Sequence, residues 1–163
     1  MTKVVRVREV WWAKNLSDGP EGKNRLVLVL AELKSGYYEV IYGQSNPEPT
    51  GRVPHERVEP GTKRGRRFKV YKDTYFRASN VRLLRNSEFL ERTGTCSSED
   101  FVLFELLAEH FYANDPTARV RRSQLQSSAP SEPQPMLPET DKQPLLSATE
   151  STSEPQVVSP KIE

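Results

Sequence analysis

The chain has 163 residues, 24 Lys/Arg against 22 Asp/Glu for a net charge of +2, and 35% hydrophobic residues, a balance that suits one small domain with an appendage and permits an anionic partner without demanding one. Its single cysteine, Cys96, excludes an intrachain disulfide and a thiolate metal cage, and its two histidines are too few to make up a zinc site. No stretch approaches the ~18 apolar residues of a membrane span, and the start, MTKVVRVREV, lacks the apolar core of a signal peptide, so a soluble, cytoplasmic protein with no membrane partner is expected.

Val4 to Ala13 is rich in β-branched and aromatic residues. Val5, Val7 and Trp11 share one face at period two and Val4, Val10 and Trp12 the other, which predicts a strand, with Glu9 just before its most apolar part. The loop containing Gly19-Pro20-Glu21 then delivers Arg25 to the mouth of Leu26–Ala31, a run without polar alternation that fits a strand covered on both faces. Burying an unpaired guanidinium costs several kcal/mol, on the order expected for any buried charge, so Arg25 is expected at the rim. A cation fixed there suits an anion; its structural alternative is to cap the strand edge or pair with a surface acid. Leu33 to Gly36 reads as a hairpin turn and Tyr37 to Tyr42 as the next strand, which Gly43-Gln44-Ser45-Asn46-Pro47 ends.

Residues 46–67 read as loop, with a short strand between Val53 and Val58. The loop runs into Lys63, Arg64, Arg66, Arg67 and Lys69, interleaved with Phe68, and such a cluster is either a solvated loop or one that tracks phosphates. Phe68–Tyr71, Thr74–Arg77 and Asn80–Leu84 read as short strands, and Asn86 or Ser87 as the cap of a short helix through Arg92 that stops at Gly94. Ser97 and Asp100 have capping-box spacing before a helix over Phe101–Tyr112, whose Phe101, Phe104, Ala108 and Phe111, joined by Leu103 and Leu107, predict a face packed on a sheet. Residues 117–163 have no aromatic residue and no glycine but seven prolines and eight serines, and are expected to be a disordered tail. Two proline pairs there, Pro130/Pro133 and Pro135/Pro138, have polyproline-II spacing, for which a plain extension is the simpler reading. The folded domain is thus residues 1–116, mainly β with a C-terminal helix, its short strands suggesting a barrel or strongly bent sheet.

The chain has no Walker loop, dinucleotide fingerprint, His-Glu-x-x-His or nucleophile elbow. His55, in the proline-rich loop, is a proton carrier only if that loop folds over a site; His110 reads as a helix residue and Cys96 as an ordinary small one.

The order Arg8-Glu9-Val10-Trp11-Trp12, Gly19-Pro20-Glu21, Arg25-Leu26-Val27-Leu28-Val29-Leu30, Gln44-Ser45, Asp73-Thr74-Tyr75-Phe76-Arg77 and Asn80-Val81-Arg82 resembles the PemK/MazF family of toxin endoribonucleases over residues 6–112. That resemblance implies an SH3-like β-barrel, usually a homodimer, which cleaves single-stranded RNA without metal or other cofactor and is neutralised by an antitoxin. It implies that Arg25 occupies a catalytic arginine position, Arg77 a second functional arginine, Glu9 an acidic position, and Ser45 with Gln44 the place of a Thr/Ser pair. In such chemistry the RNA 2′-hydroxyl attacks the phosphate, and arginine suits the charge that develops there. Lys63, Arg64, Arg66, Arg67, Lys69 and Gln44 are the expected RNA-binding residues. Pro20, Gln44 and Ser79 stand where members carry histidine, threonine and aspartate, none replaced by a group of the same proton chemistry. The alternative is a nucleic-acid-binding or protein-interaction module of the same fold without catalysis.

Overall fold

The unbroken apolar run after Arg25 becomes an interior strand with a hydrophobic cluster on each face. The computed structural model describes residues 3–14, 16, 22–45 and 53–126, all within one unit that spans Met1–Pro130. The strands are β1 (Glu9–Ala13), β2 (Arg25–Glu32), β3 (Tyr37–Gln44), β4 (His55–Val58), β5 (Thr74–Arg85) and β6 (Phe89–Thr95); the helices are α1 (Lys63–Phe68), α2 (Ser98–Asn114) and α3 (Pro116–Gln126). The strands form one antiparallel sheet in the order β4-β5-β3-β2-β1-β6. The fold is mainly β, as expected, but β4 and β6 are free edges, so the sheet is open and "barrel" describes it only loosely.

Leu26, Leu28 and Leu30 of β2 join Val10, Ile41, Phe76 and the α2 side chains Phe104 and Leu107 in one cluster. Val27 and Val29 join Trp11, Ala13, Val40, Tyr42 and Phe89 in the other. Phe68, Phe76, Phe89 and Phe104 are fully buried, each worth about 1.5–3 kcal/mol of transfer free energy. Both faces of the sheet are therefore dry, and that is why β2 shows no alternation.

Several elements differ from expectation. The first strand starts at Glu9 rather than Val4, because Arg8 takes a left-handed φ of 71°, its N–H bonded to the Val29 carbonyl at 2.9 Å. The cationic run is not a loop. Thr62 Oγ accepts the Gly65 N–H at 2.9 Å, Phe68 anchors the turn in the core, and Lys69 closes it with φ 54°. The expected strands around residues 74–84 are one strand, β5, interrupted where its register against β3 slips between Ile41 and Gly43. There the buried Asn80 side-chain amide donates to the Tyr42 carbonyl at 3.1 Å, supplying a bond the bulged ladder lacks.

The expected helix over residues 86–92 is a single 3-10 turn, Asn86–Glu88, followed by β6. Phe89 fixes that strand through edge-on contacts with Trp11 and Tyr38 at ring-centroid distances of 5.8 and 5.4 Å. Gly94 is pressed against α1: a Cβ there would lie 1.7 Å from the Arg67 carbonyl oxygen.

The predicted C-terminal helix is present as α2, with Ser97 Oγ accepting the Asp100 N–H at 3.3 Å. The expected boundary at residue 116 falls short, because residues 116–126 form α3 instead of beginning the tail. Asp115 accepts the Ala118 N–H at 2.9 Å at its start, and Arg122 reaches the buried Glu39, with Nε 2.6 Å from its carboxylate. The tail expected beyond residue 126 and the loop Gly19-Pro20-Glu21 lie outside the described residues. Among the described residues no helix is long and apolar enough to cross a membrane.

Candidate functional site

β2 starts beside a cavity of about 320 Å³, at the small end of the usual range for ligand sites. Its walls come from four stretches: Trp12 on β1, Asn24, Arg25 and Leu26 entering β2, Gly43 and Ser45 leaving β3, and Lys69–Lys72 with Thr74 between α1 and β5. Gly43 is needed here because a Cβ would come within 2.4 Å of Thr74 Cγ2, so β3 and β5 approach more closely than any larger residue allows.

Arg25 is half-buried, paired through its backbone with Ala13 across the β1–β2 ladder. Its Nε is buried and finds no hydrogen-bond partner among the described residues. A buried N–H without an acceptor costs about 1–3 kcal/mol, and a guanidinium at a cavity wall suits an anionic ligand. Lys69 and Lys72 add two further cations, and the described lining includes no carboxylate. The cavity is thus a fixed positive site with hydroxyls from Ser45 and Thr74 and an amide from Asn24.

The structure brings together three of the expected residues, Arg25, Ser45 and Lys69, and separates the rest. Arg77 lies on β5 opposite His55 of the edge strand β4, three residues beyond Thr74, which is roughly 10 Å of strand. The His55 imidazole packs near Tyr75, ring centroids 5.8 Å apart, with Nδ1 3.2 Å from the Val53 carbonyl. Gln44 closes β3 opposite Tyr75 and is not part of the cavity lining.

Glu9 sits three residues from Trp12 at the far end of β1, buried and occupied. It accepts the Arg6 N–H at 3.0 Å and the Trp11 indole N–H at 3.1 Å, and pairs with Arg92 Nε at 2.9 Å. These contacts tie the first strand to β6. They leave this carboxylate no part in the cavity.

The five cations of residues 63–69 do not form one stripe, because a helix turns them in different directions. Arg64 is spent internally, on Asp100 at 2.7 and 2.9 Å and on Glu56 at 2.9 Å. Arg66 donates to the Gly61 carbonyl. Lys63 and Arg67 face a second, polar depression beside Arg8 and residues 95–99. Only Lys69 joins the Arg25 cavity.

Sequence reading missed Trp12, Asn24, Tyr71, Lys72 and Thr74 as lining residues. One signal for Trp12 was present: two adjacent tryptophans in a strand must face opposite ways. Trp11 is 6% exposed with its N–H satisfied by Glu9, whereas Trp12 is 37% exposed at the cavity. Cys96 is buried, and burial, followed by the Asp100 charge, pushes its thiol up to about 12, so it is no thiolate nucleophile at neutral pH. Among the described residues no group of His, Cys, Asp and Glu side chains is arranged to hold a metal ion.

Searched against models of protein families, the sequence matches none, and no curated protein matches it.

Proposed function

We propose that the Arg25 cavity holds the backbone of single-stranded RNA. The observation that carries this reading is a cavity lined by Arg25, Lys69 and Lys72 beside the rings of Trp12 and Tyr71. Cations that take phosphates beside aromatic rings that take bases are the usual equipment of single-strand binding. RNA in particular, and not DNA, rests on the resemblance to the PemK/MazF toxins.

On that resemblance the activity is metal-independent cleavage. The 2′-hydroxyl of one nucleotide bonds to the adjacent phosphorus, the bond from phosphorus to the 5′-oxygen breaks, and a proton passes from the first oxygen to the leaving one. Arg25 stabilises the charge gathering on the phosphate and Ser45 positions it. An antitoxin partner, a homodimer and a cytoplasmic setting belong to the same proposal.

A second reading, binding without cleavage, is favoured by one specific observation: the described lining includes neither carboxylate nor imidazole, and Glu9 is held by three donors elsewhere. Both are tested by incubating labelled single-stranded RNA with the protein in excess chelator, beside a salt-titrated binding assay. Cleavage abolished by Arg25→Ala supports the toxin reading. Salt-sensitive binding that Arg25→Ala weakens, with the RNA left intact, supports the second, and no binding at low salt overturns both.

A further inference from the structure

We infer that Trp12 is the base platform of this cavity, taking one unpaired nucleobase against its indole while Arg25 holds the adjoining phosphate. The inference rests on the reading of the cavity as an RNA site and adds what the site recognises besides charge.

Three observations lead to it. The two adjacent tryptophans of β1 are treated differently by the fold. Trp11 is sealed between the sheet and Phe89 with its N–H bonded, whereas Trp12 remains 37% exposed although it shares a face with the fully buried Val10. Its cross-strand neighbours are Leu26 and Glu91, so no aromatic partner faces it across either ladder. An indole left this open loses part of the burial that is the usual return for so large a side chain.

The second observation is place. Trp12 and Tyr71 line the same cavity as Arg25, and Tyr71 is 88% exposed, the most exposed large apolar or aromatic side chain among the described residues. Two open rings and three cations thus line one cavity, offering a π-face beside positive charge. The third observation is what the cavity lacks: no carboxylate stands in the described lining to repel a phosphate or to favour a cationic ligand on the rings.

Stacking tolerates any base but strengthens with its π-surface, so adenine is held more tightly than uracil. Tyr71, in the same lining, offers a second ring to the base.

The test uses the full chain and a short oligoadenylate with 2′-O-methyl groups, which cannot be cleaved through the 2′-hydroxyl, beside an abasic oligomer of the same backbone. Tryptophan emission and affinity are followed together. The oligoadenylate is expected to quench emission and to bind about 5- to 150-fold more tightly than the abasic chain, the range that stacking of one base supplies. Trp12→Ala is expected to bring both ligands to the abasic level and to remove the quench, and Trp12→Phe to recover part of the difference. The remaining emission of Trp11, buried and bonded to Glu9, reports whether each variant is folded. Equal affinity for both oligomers, with no quench, overturns the stacking proposal; if Arg25→Ala still weakens both, the phosphate reading survives it. Failure of both oligomers to bind the folded protein at low salt overturns the underlying reading as well.

Discussion

Asp100 shows how much of a single residue's role is set by its neighbours. Burial alone raises a carboxyl pKa, but here the Ser97 hydroxyl at 2.6 Å and the Arg64 guanidinium outweigh it and lower the pKa of Asp100. A carboxyl held below its unfolded value adds stability that is complete above the unfolded pKa and is lost as pH falls through the folded one. Asp100→Asn is therefore expected to cost about 1–2 kcal/mol at neutral pH and to flatten the acid limb of the stability curve, as read by denaturant unfolding across the carboxylate range. Gly94 makes a second residue-scale prediction. Gly94→Ala sets a methyl 1.7 Å from the Arg67 carbonyl, backbone that has no flexible end to move aside, and is expected to cost about 1–3 kcal/mol in the same experiment, as overpacking usually does.

At the scale of elements, α3 is the unexpected piece. It brings little apolar surface to the core, Ala118 being the residue that packs partly against it, and is held instead by Arg122. That guanidinium pairs with Glu39, which is 1% exposed, and lies 4.6 Å from the centre of the Tyr112 ring, whose hydroxyl donates to Glu39 at 3.0 Å. Burial is the largest influence on Glu39 and raises its pKa, against the opposing pull of Arg122 and Tyr112. The sign is opposite to that of Asp100. A carboxyl with a raised folded pKa contributes stability fully below its unfolded value and loses it as pH rises through the raised one. Arg122→Ala strips Glu39 of its cation and is expected to cost about 3 kcal/mol at neutral pH, the lower end for a broken buried pair because Arg122 is partly exposed. Acidification should return part of that loss, and thermal melts at neutral and mildly acid pH check both halves. It also follows that a chain ending at residue 126 should melt like the full chain, whereas one ending at 116 should fall by about the Arg122→Ala increment.

At the scale of the whole molecule, the net charge of +2 is too small to draw nucleic acid by itself, so affinity for RNA must come from the local arrangement. Three cations line the cavity. If each meets one phosphate, the logarithm of the affinity should fall with the logarithm of salt concentration with a slope of about −2, and Arg25→Ala should make it shallower by about 0.7. A much steeper slope would mean that Lys63, Arg67 and Arg8, at the second depression, also touch the backbone. The cavity and the second depression share no lining residue; α1 supplies Lys63 and Arg67 to the second, and Lys69, which closes α1, lines the first.

Sequence by itself determined the class of the fold, the strands at β2 and β3, the start of α2 and the cation at the mouth of β2, because each of these is written in local periodicity, caps and turns. The doubly covered run Leu26–Leu30 predicted a dry sheet, and Ser97 marked the α2 cap. Only the tertiary structure decided the rest. Lys63–Phe68 reads as loop or strand until Phe68 finds Phe76 and Phe104, and Phe89–Arg92 reads as helix until Trp11 and Tyr38 claim Phe89. α3 depends on a partner 83 residues away. The candidate site divides in the same way. Strand ends legible in the sequence put Arg25 and Ser45 at the cavity, whereas Glu9 and Arg64 are held by partners outside it, because acids and cations look alike in sequence whether they face a ligand or one another. Trp12 and Tyr71 could be placed beside Arg25 only by the fold, since the cavity draws on four stretches that nothing but long-range strand pairing brings together.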